Sequence, residues 1–131
     1  MDNSLRPGTR ETMASLIDGG HEVNVWSGLG VRKDVVKRHK LNKLVSGVYH
    51  KPLYDHHQRL DELGVPMIPD FVVDDDPEVV VAFGGMWVPP FFGGTVDREM
   101  ERVFRAAMQF AQKGTSEDDH FRARGTEIHF T

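Results

Sequence analysis

A short apolar run that ends in acidic residues constrains the fold of this chain most. Residues 71–73 read Phe-Val-Val and run directly into three aspartates, Asp74, Asp75 and Asp76. Strands buried on both faces of a parallel sheet have continuous apolar runs of this kind. Adjacent carboxylates repel one another and are costly to desolvate, so we expect a magnesium ion at Asp74 and Asp75. The alternative is that the aspartates only cap the next helix.

The rest of the chain alternates between helical and extended patterns, which is typical of α/β proteins with a parallel sheet. We predict a single domain over 1–131, with its core in 5–113. The tail 114–131 is polar, is expected to be loose, and adds a last strand at 126–130. Leu53, Leu60 and Leu63 are the predicted core positions of the third helix. The predicted helices are 9–18, 31–41, 53–63, 78–83 and 96–113, and the other strands are 21–27, 45–49, 71–73 and 86–88.

Composition narrows the class of protein. The 131 residues suit one domain, and 39% hydrophobic with 27% charged residues is typical of globular proteins. No apolar run approaches the roughly 20 residues that span a bilayer, and the absence of cysteine favours a cytoplasmic location. The net charge of −4 argues against nucleic acid as the main partner. The basic residues between Arg32 and Lys43 are interpreted as a solvated helix face, with a phosphate-bearing partner as the alternative.

Two other predicted strands also end in polar residues. Ser27 precedes the flexible Gly28, and a serine hydroxyl with nearby main-chain amides can bind phosphate. Lys51 follows the second strand, where its ammonium group can neutralise an anion. Taken alone, Ser27 is typical of a turn and Lys51 of a surface. In parallel α/β sheets, however, ligands bind beyond the carboxyl ends of the strands, and these residues occupy successive ends.

The same segments resemble the haloacid dehalogenase-like phosphatases of the capless type. The resemblance covers about residues 5–92. Ser27 matches the second motif, whose hydroxyl binds the phosphoryl group, and Lys51 matches the third, which balances its charge. Asp74 and Asp75 match the fourth motif, which holds magnesium. The resemblance implies a three-layer Rossmann-like domain with a parallel sheet and Mg²⁺-dependent hydrolysis of phosphate monoesters. It gives Ser27 and Lys51 catalytic roles and makes Ser27, Gly28 and Lys51 the phosphate-binding set.

The chain departs from that family at the first motif, Asp-x-Asp-x-Thr or Val, whose first aspartate attacks phosphorus. Only Met1 to Ser4 precede Leu5, and Asp2 follows no apolar strand. Without a nucleophile held in line, we predict no normal phosphatase turnover. The alternatives are a truncated product of a longer gene and a non-catalytic relative that binds anions, metal or other proteins. An unrelated receiver-like domain is disfavoured, because its acids would be distributed over early strands.

The missing motif would also supply the central strand, between the strands at 21–27 and 71–73. Buried strands rarely leave backbone groups unpaired. The flanking strands therefore pair directly, or the strand at 126–130 inserts, or another chain supplies a strand by swapping or dimerisation. We favour an altered sheet with a homodimer. A zinc site at His50, His56 and His57 is disfavoured, because adjacent histidines point to different sides of a helix.

Overall fold

The protein is a mixed α/β domain in the computed structural model, which describes residues 5–28, 30–31, 33–91, 93 and 97–125. Helices and strands alternate over most of its length, as the sequence predicts. The helices are α1 (Thr9–Asp18), α2 (Lys33–Arg38), α3 (His56–Glu62), α4 (Pro77–Phe83) and α5 (Glu99–Lys113). The strands are β1 (Asn24–Ser27), β2 (Gly47–His50), β3 (Val72–Asp74), β4 (Gly85–Trp87) and β5 (Phe121–Arg122).

The described strands form two sheets rather than the one expected. In the first, β1 and β2 run parallel with Ser27 opposite His50. In the second, β3 and β4 run parallel with Asp74 opposite Trp87, and β5 adds antiparallel to β4. The sequence analysis offered three ways to replace the central strand, and one of them was direct pairing of β1 with β3. These two described strands do not pair. The other predicted filler, 126–130, lies outside the described residues.

Both β1 and β3 therefore stand at the end of a sheet. The main-chain oxygens of Val23 and Ser27 accept hydrogen bonds from residues of the β2 segment. The main-chain N–H of Val72 and the oxygen of Asp74 bond to the β4 segment. Backbone groups alternate in direction along a parallel strand, so those of the intervening residues point to the opposite edge. Val73, the intervening residue of β3, is 38% exposed.

One apolar cluster joins the two sheets. Trp26 of β1 and Tyr49 of β2 pack against it, and the Trp26 ring centroid lies 5.6 Å from that of Phe83. Its buried members come from α3, β3, α4 and the loop after α3: Leu60, Val65, Val72, Val79, Val80 and Phe83. A second cluster lies between β4 and α5 and comprises Met86, Val88, Val103 and Ala106.

The close approach of β3 and β4 depends on Gly85. This residue has a φ of 147°, a region that side chains rarely adopt, and a Cβ built on it would overlap the backbone of Val72. Only glycine lets the two strands begin side by side at this point. The close contact positions the end of β3, where Asp74 lies.

The tail is better ordered than the sequence predicts. Arg102 donates to the Asp118 carboxylate from Nη2 at 2.8 Å and from Nε at 3.0 Å. Strand β5 pairs with β4 at Phe121. Arg124 donates to the main-chain oxygens of Phe83 and Pro69 at 3.1 and 2.9 Å. The expectation of a loose segment is therefore wrong for this part of the tail.

The helices differ from prediction mainly at their ends. Helix α1 has the predicted bounds, whereas α2 and α3 are shorter. Because α3 begins only at His56, Leu53 lies ahead of it and is 45% exposed, which corrects its assignment to the core. Leu60 is buried as predicted. No helix in the described part of the chain is long and apolar enough to cross a membrane.

Candidate functional site

The carboxyl ends of β1 and β2 bring two predicted site residues together. The pairing register places His50 beside Ser27, and the main-chain N–H of Lys51 donates to the Ser27 oxygen at 2.9 Å. This bond continues the parallel ladder by one residue beyond β2. It therefore fixes the start of the Lys51 side chain next to Ser27.

The Lys51 side chain extends from this point to the end of β3. Its Nζ lies 3.0 Å from Asp74 Oδ2 and 3.2 Å from Asp74 Oδ1. Both side chains are largely buried, with 15% of Lys51 and 6% of Asp74 exposed. The ion pair thus connects the carboxyl ends of the two sheets. Ser27, Lys51 and Asp74, predicted from separate strand ends, lie in one continuous chain of contacts.

Burial and charge act on Asp74 in opposite directions. Desolvation raises the pKa of Asp74, while the Lys51 cation and the N–H of Asp76 favour its charged form. The net pKa is above the ordinary aspartate value. The contacts of the Asp74 carboxylate therefore do not offset the whole cost of burying its charge, and a further cation nearby would favour its ionised form.

The three consecutive aspartates have different environments. Asp74 is buried and accepts hydrogen bonds from Lys51 and from the main-chain N–H of Asp76 at 2.9 Å. Asp75 is exposed, and its main-chain oxygen accepts from Trp87 Nε1 at 2.9 Å. Asp76 caps α4, since its Oδ1 accepts from the N–H of Glu78 at 3.0 Å. Asp76 is thus a helix cap, and Asp74 and Asp75 remain as candidate magnesium ligands.

The predicted phosphate-binding residue Gly28 lies close to Leu53. A Cβ built on Gly28 would stand 2.8 Å from Leu53 Cδ2, so a larger residue would displace that side chain. Leu53 is half-exposed at 45% and covers the turn after β1. The main chain at Gly28 therefore has little room for a side chain on the side of Leu53.

Asp74 and Asp75 are the two carboxylates at the end of β3 where the sequence analysis expects magnesium. Among the residues that the structure describes, no group of three or more His, Asp or Glu side chains is arranged to hold a metal ion. Magnesium is often bound by one or two carboxylates, with water and substrate phosphate completing its octahedron. The donor set at the end of β3 has this composition, with Lys51 competing for Asp74.

The histidines near this site have structural contacts. Nε2 of His57 lies 2.6 Å from the main-chain oxygen of Ala82, and its ring packs 4.7 Å from Phe83. The His56 ring meets Phe83 edge-on at 6.1 Å. These contacts attach α3 to α4.

A cleft beside the acidic strand end contains a residue to which the sequence assigned no role. The cleft has a volume of about 260 Å³ and is lined by Arg6 together with Asp74 and Asp75. Arg6 is 9% exposed and its Nε lies 3.3 Å from Asp97 Oδ2. Its contacts are far apart in sequence, so no local pattern around Arg6 identifies it.

Comparison with known proteins adds no assignment. The chain matches no family model, and neither the curated proteins nor the solved structures give a match. The functional interpretation of this site therefore depends on its geometry and on the motifs of the sequence.

Proposed function

We propose that this domain is a haloacid dehalogenase-like phosphatase module that binds a phosphate monoester together with magnesium, and that the chain as given has no normal turnover. The observation that carries the proposal is the Lys51–Asp74 ion pair beside Ser27. The ion pair joins the ends of β2 and β3, and the main-chain hydrogen bond of Lys51 to Ser27 adds the end of β1. Cation, carboxylate and hydroxyl-bearing residue are the groups that phosphoryl binding uses.

Each residue has a distinct role in this proposal. Ser27 and the main chain at Gly28 bind phosphoryl oxygens, and Lys51 neutralises their charge. Asp74 and Asp75 hold magnesium, which would offset the negative charge of the phosphate. Because Lys51 contacts Asp74 in this structure, an arriving phosphate would draw Lys51 away and release Asp74 for the metal.

Turnover needs more than these groups. Electrostatic stabilisation alone does not replace a nucleophile in line with the leaving group. The sequence has no Asp-x-Asp ahead of Arg6, where the family motif would stand. We therefore propose that the chain as given binds phosphate and does not turn over phosphate esters in the normal way.

A second candidate function is protein interaction through strand addition. It is favoured by β1 and β3, which end their sheets with one backbone edge unpaired by any described strand. Such edges readily accept a strand from another chain. The partner in this proposal is a second copy of the chain, so mass measured in solution should correspond to a dimer. A monomer at all concentrations would contradict it.

The proposed function is tested by calorimetric titration of inorganic phosphate with and without magnesium, alongside p-nitrophenyl phosphate hydrolysis. We expect magnesium-dependent phosphate binding that Lys51→Gln weakens about tenfold or more, as loss of a charged hydrogen bond does. Lys113→Gln, at the distant end of α5, is the matched control and should bind as the wild type does. A hydrolysis rate that Asp74→Ala abolishes would contradict the absence of turnover.

A further inference from the structure

A second cleft lies between α2 and β2, and none of its lining residues belongs to the proposed phosphate site. Its volume is about 540 Å³, within the range of roughly 300–1,000 Å³ that is typical of ligand clefts. The segment 45–49 lines it together with Lys33, Val36 and Lys37 of α2. Consecutive side chains of a strand point to opposite faces of a sheet, so a cleft lined by this whole segment runs along the strand.

Strand β2 has one backbone edge that no described strand covers. It pairs only with β1 among the described strands. No residue of β1 lines the cleft, so the cleft lies on the side of β2 that faces away from β1. The N–H and C=O groups of such an edge can pair with an extended segment of another chain. An extended peptide therefore fits this cleft better than a compact ligand does.

The border of the cleft on α2 is positively charged. Lys33 and Lys37 are exposed and lie one helical turn apart, a spacing at which like charges repel each other. Neither makes an ion pair with a described residue. The segment 33–43 contains one acidic and five basic residues, although the net charge of the chain is −4. A partner with carboxylates would offset the repulsion between the two lysines.

The cleft also has an apolar part. Val36 is 3% exposed, and Val45, Val48 and Tyr49 are half-buried. Strand addition combines main-chain hydrogen bonds with contacts to alternate side chains of the added peptide. Nucleic-acid binding, by contrast, depends mainly on cations that contact phosphates. Lysines beside valines therefore favour a peptide with both acidic and apolar residues.

We propose that the cleft between α2 and β2 binds an acidic peptide segment of another protein. The segment adds as a strand to the free edge of β2, and its carboxylates contact Lys33 and Lys37. This edge is distinct from those of β1 and β3. The inference goes beyond the proposed function, and either site can exist without the other.

The test is a fluorescence-anisotropy titration of the protein with a short labelled peptide of alternating glutamate and valine. The double variant Lys33→Gln/Lys37→Gln should bind this peptide about tenfold more weakly, as loss of two exposed ionic contacts does. Lys40→Gln/Lys43→Gln is the matched control, because it removes the same charge from the same segment outside the cleft. It should bind nearly as the wild type does. Equal losses in the two double variants would mean non-specific attraction and would overturn the inference.

Altered probes test the other two parts of the inference. A peptide with lysine in place of glutamate should not bind. A fully N-methylated glutamate–valine peptide keeps its side chains but cannot donate hydrogen bonds to β2, so it should bind much more weakly. The inference is wrong if the methylated peptide binds as tightly as the parent peptide. It is also wrong if a single-stranded oligonucleotide of the same charge binds more tightly than the peptide.

Amide shifts of the unaltered ¹⁵N-labelled protein locate the peptide without any substitution. The largest shifts should fall within 33–37 and 45–49. Shifts centred on Ser27, Lys51 and Asp74 would mean that the glutamates bind at the proposed phosphate site, and the inference would fail. It would also fail if no shift saturated with peptide. The phosphate titration is made without peptide, so neither outcome affects the proposed function.

Discussion

The two sheets differ in how completely they are covered. None of the eight residues of β1 and β2 is buried, although Trp26 and Tyr49 reach the core. In the second sheet, Val72 and Met86 are 5% and 0% exposed. Strands of the doubly wound type are normally covered by neighbours on both sides. Among the described residues, β1 and β2 are therefore less completely covered than β3 and β4.

The largest expected effect comes from matched valines in the two sheets. Val72→Ala removes buried methyl groups from the core and should lower the free energy of unfolding by about 2–3 kcal/mol. Val48→Ala removes the same groups from half-buried β2 and should cost less than about 1 kcal/mol. Urea unfolding of both variants measures the difference. Equal losses would mean that the two sheets are packed alike in solution.

The ion pair between the sheets should give the next largest effect. Lys51→Met leaves Asp74 buried without its cation and should cost about 2 kcal/mol of stability. Adding Asp74→Asn should recover part of the loss, because a neutral amide is cheaper to bury than an unpaired carboxylate. Glu62→Gln, which removes the ion pair of α3 with Arg59 at a side chain that is 61% exposed, is the control and should leave the midpoint of unfolding unchanged.

The outcome of that double-mutant comparison decides whether the pair couples the sheets. A double variant less stable than Lys51→Met alone would contradict the coupling. So would a Lys51→Met protein with wild-type stability, since the contact would then be absent in solution.

The smallest effects are pH-dependent and have opposite signs at two aspartates. At Asp118, burial favours the neutral form, but hydrogen bonds from Arg102 and the His120 N–H outweigh it and lower the pKa. Its contribution to stability is therefore complete above the ordinary aspartate pKa of about 3.9 and is lost as the pH falls through the lower folded value. The difference in melting temperature between wild type and Asp118→Asn should shrink as the pH is lowered below 4.

At Asp74 the direction reverses. Burial raises its pKa above the ordinary value despite Lys51, so ionised Asp74 opposes folding. That cost is present above the folded pKa and is relieved as the pH falls through it. The wild type should therefore gain stability relative to Asp74→Asn as the pH falls from 7 towards 4. If the stability difference from the wild type changed with pH in the same direction for Asp118→Asn and Asp74→Asn, the environments of the two aspartates would not differ in this way.

Local sequence signals predicted much of the fold and part of the candidate site. Pro7, Gly8 and the Gly19-Gly20 pair set the ends of α1, and its bounds agree with the prediction. The apolar run before Asp74 identified β3 and its acidic end. Lys51 and Asp74 were predicted at successive strand ends, and their side chains meet although β2 and β3 lie in different sheets.

What the sequence could not supply depends on contacts between distant residues. Strand β5 has only two residues, and its place is determined by pairing with β4. Arg6 reaches Pro89 and Asp97, more than eighty positions away, and a lone arginine before Pro7 gives no sign of this. The division into two sheets depends on which strands pair, and the sequence of a single strand does not determine its partner.

The most direct test of the proposed site is the pattern of backbone amide shifts when magnesium and phosphate are added to the ¹⁵N-labelled protein. We expect the largest shifts at Ser27 and Gly28, at Lys51, and at Asp74 and Asp75, which come from both sheets. Amides of the central turns of α5 should stay in place. Shifts confined to the basic helix α2, or no saturable shifts at all, would contradict a phosphate site assembled at these strand ends.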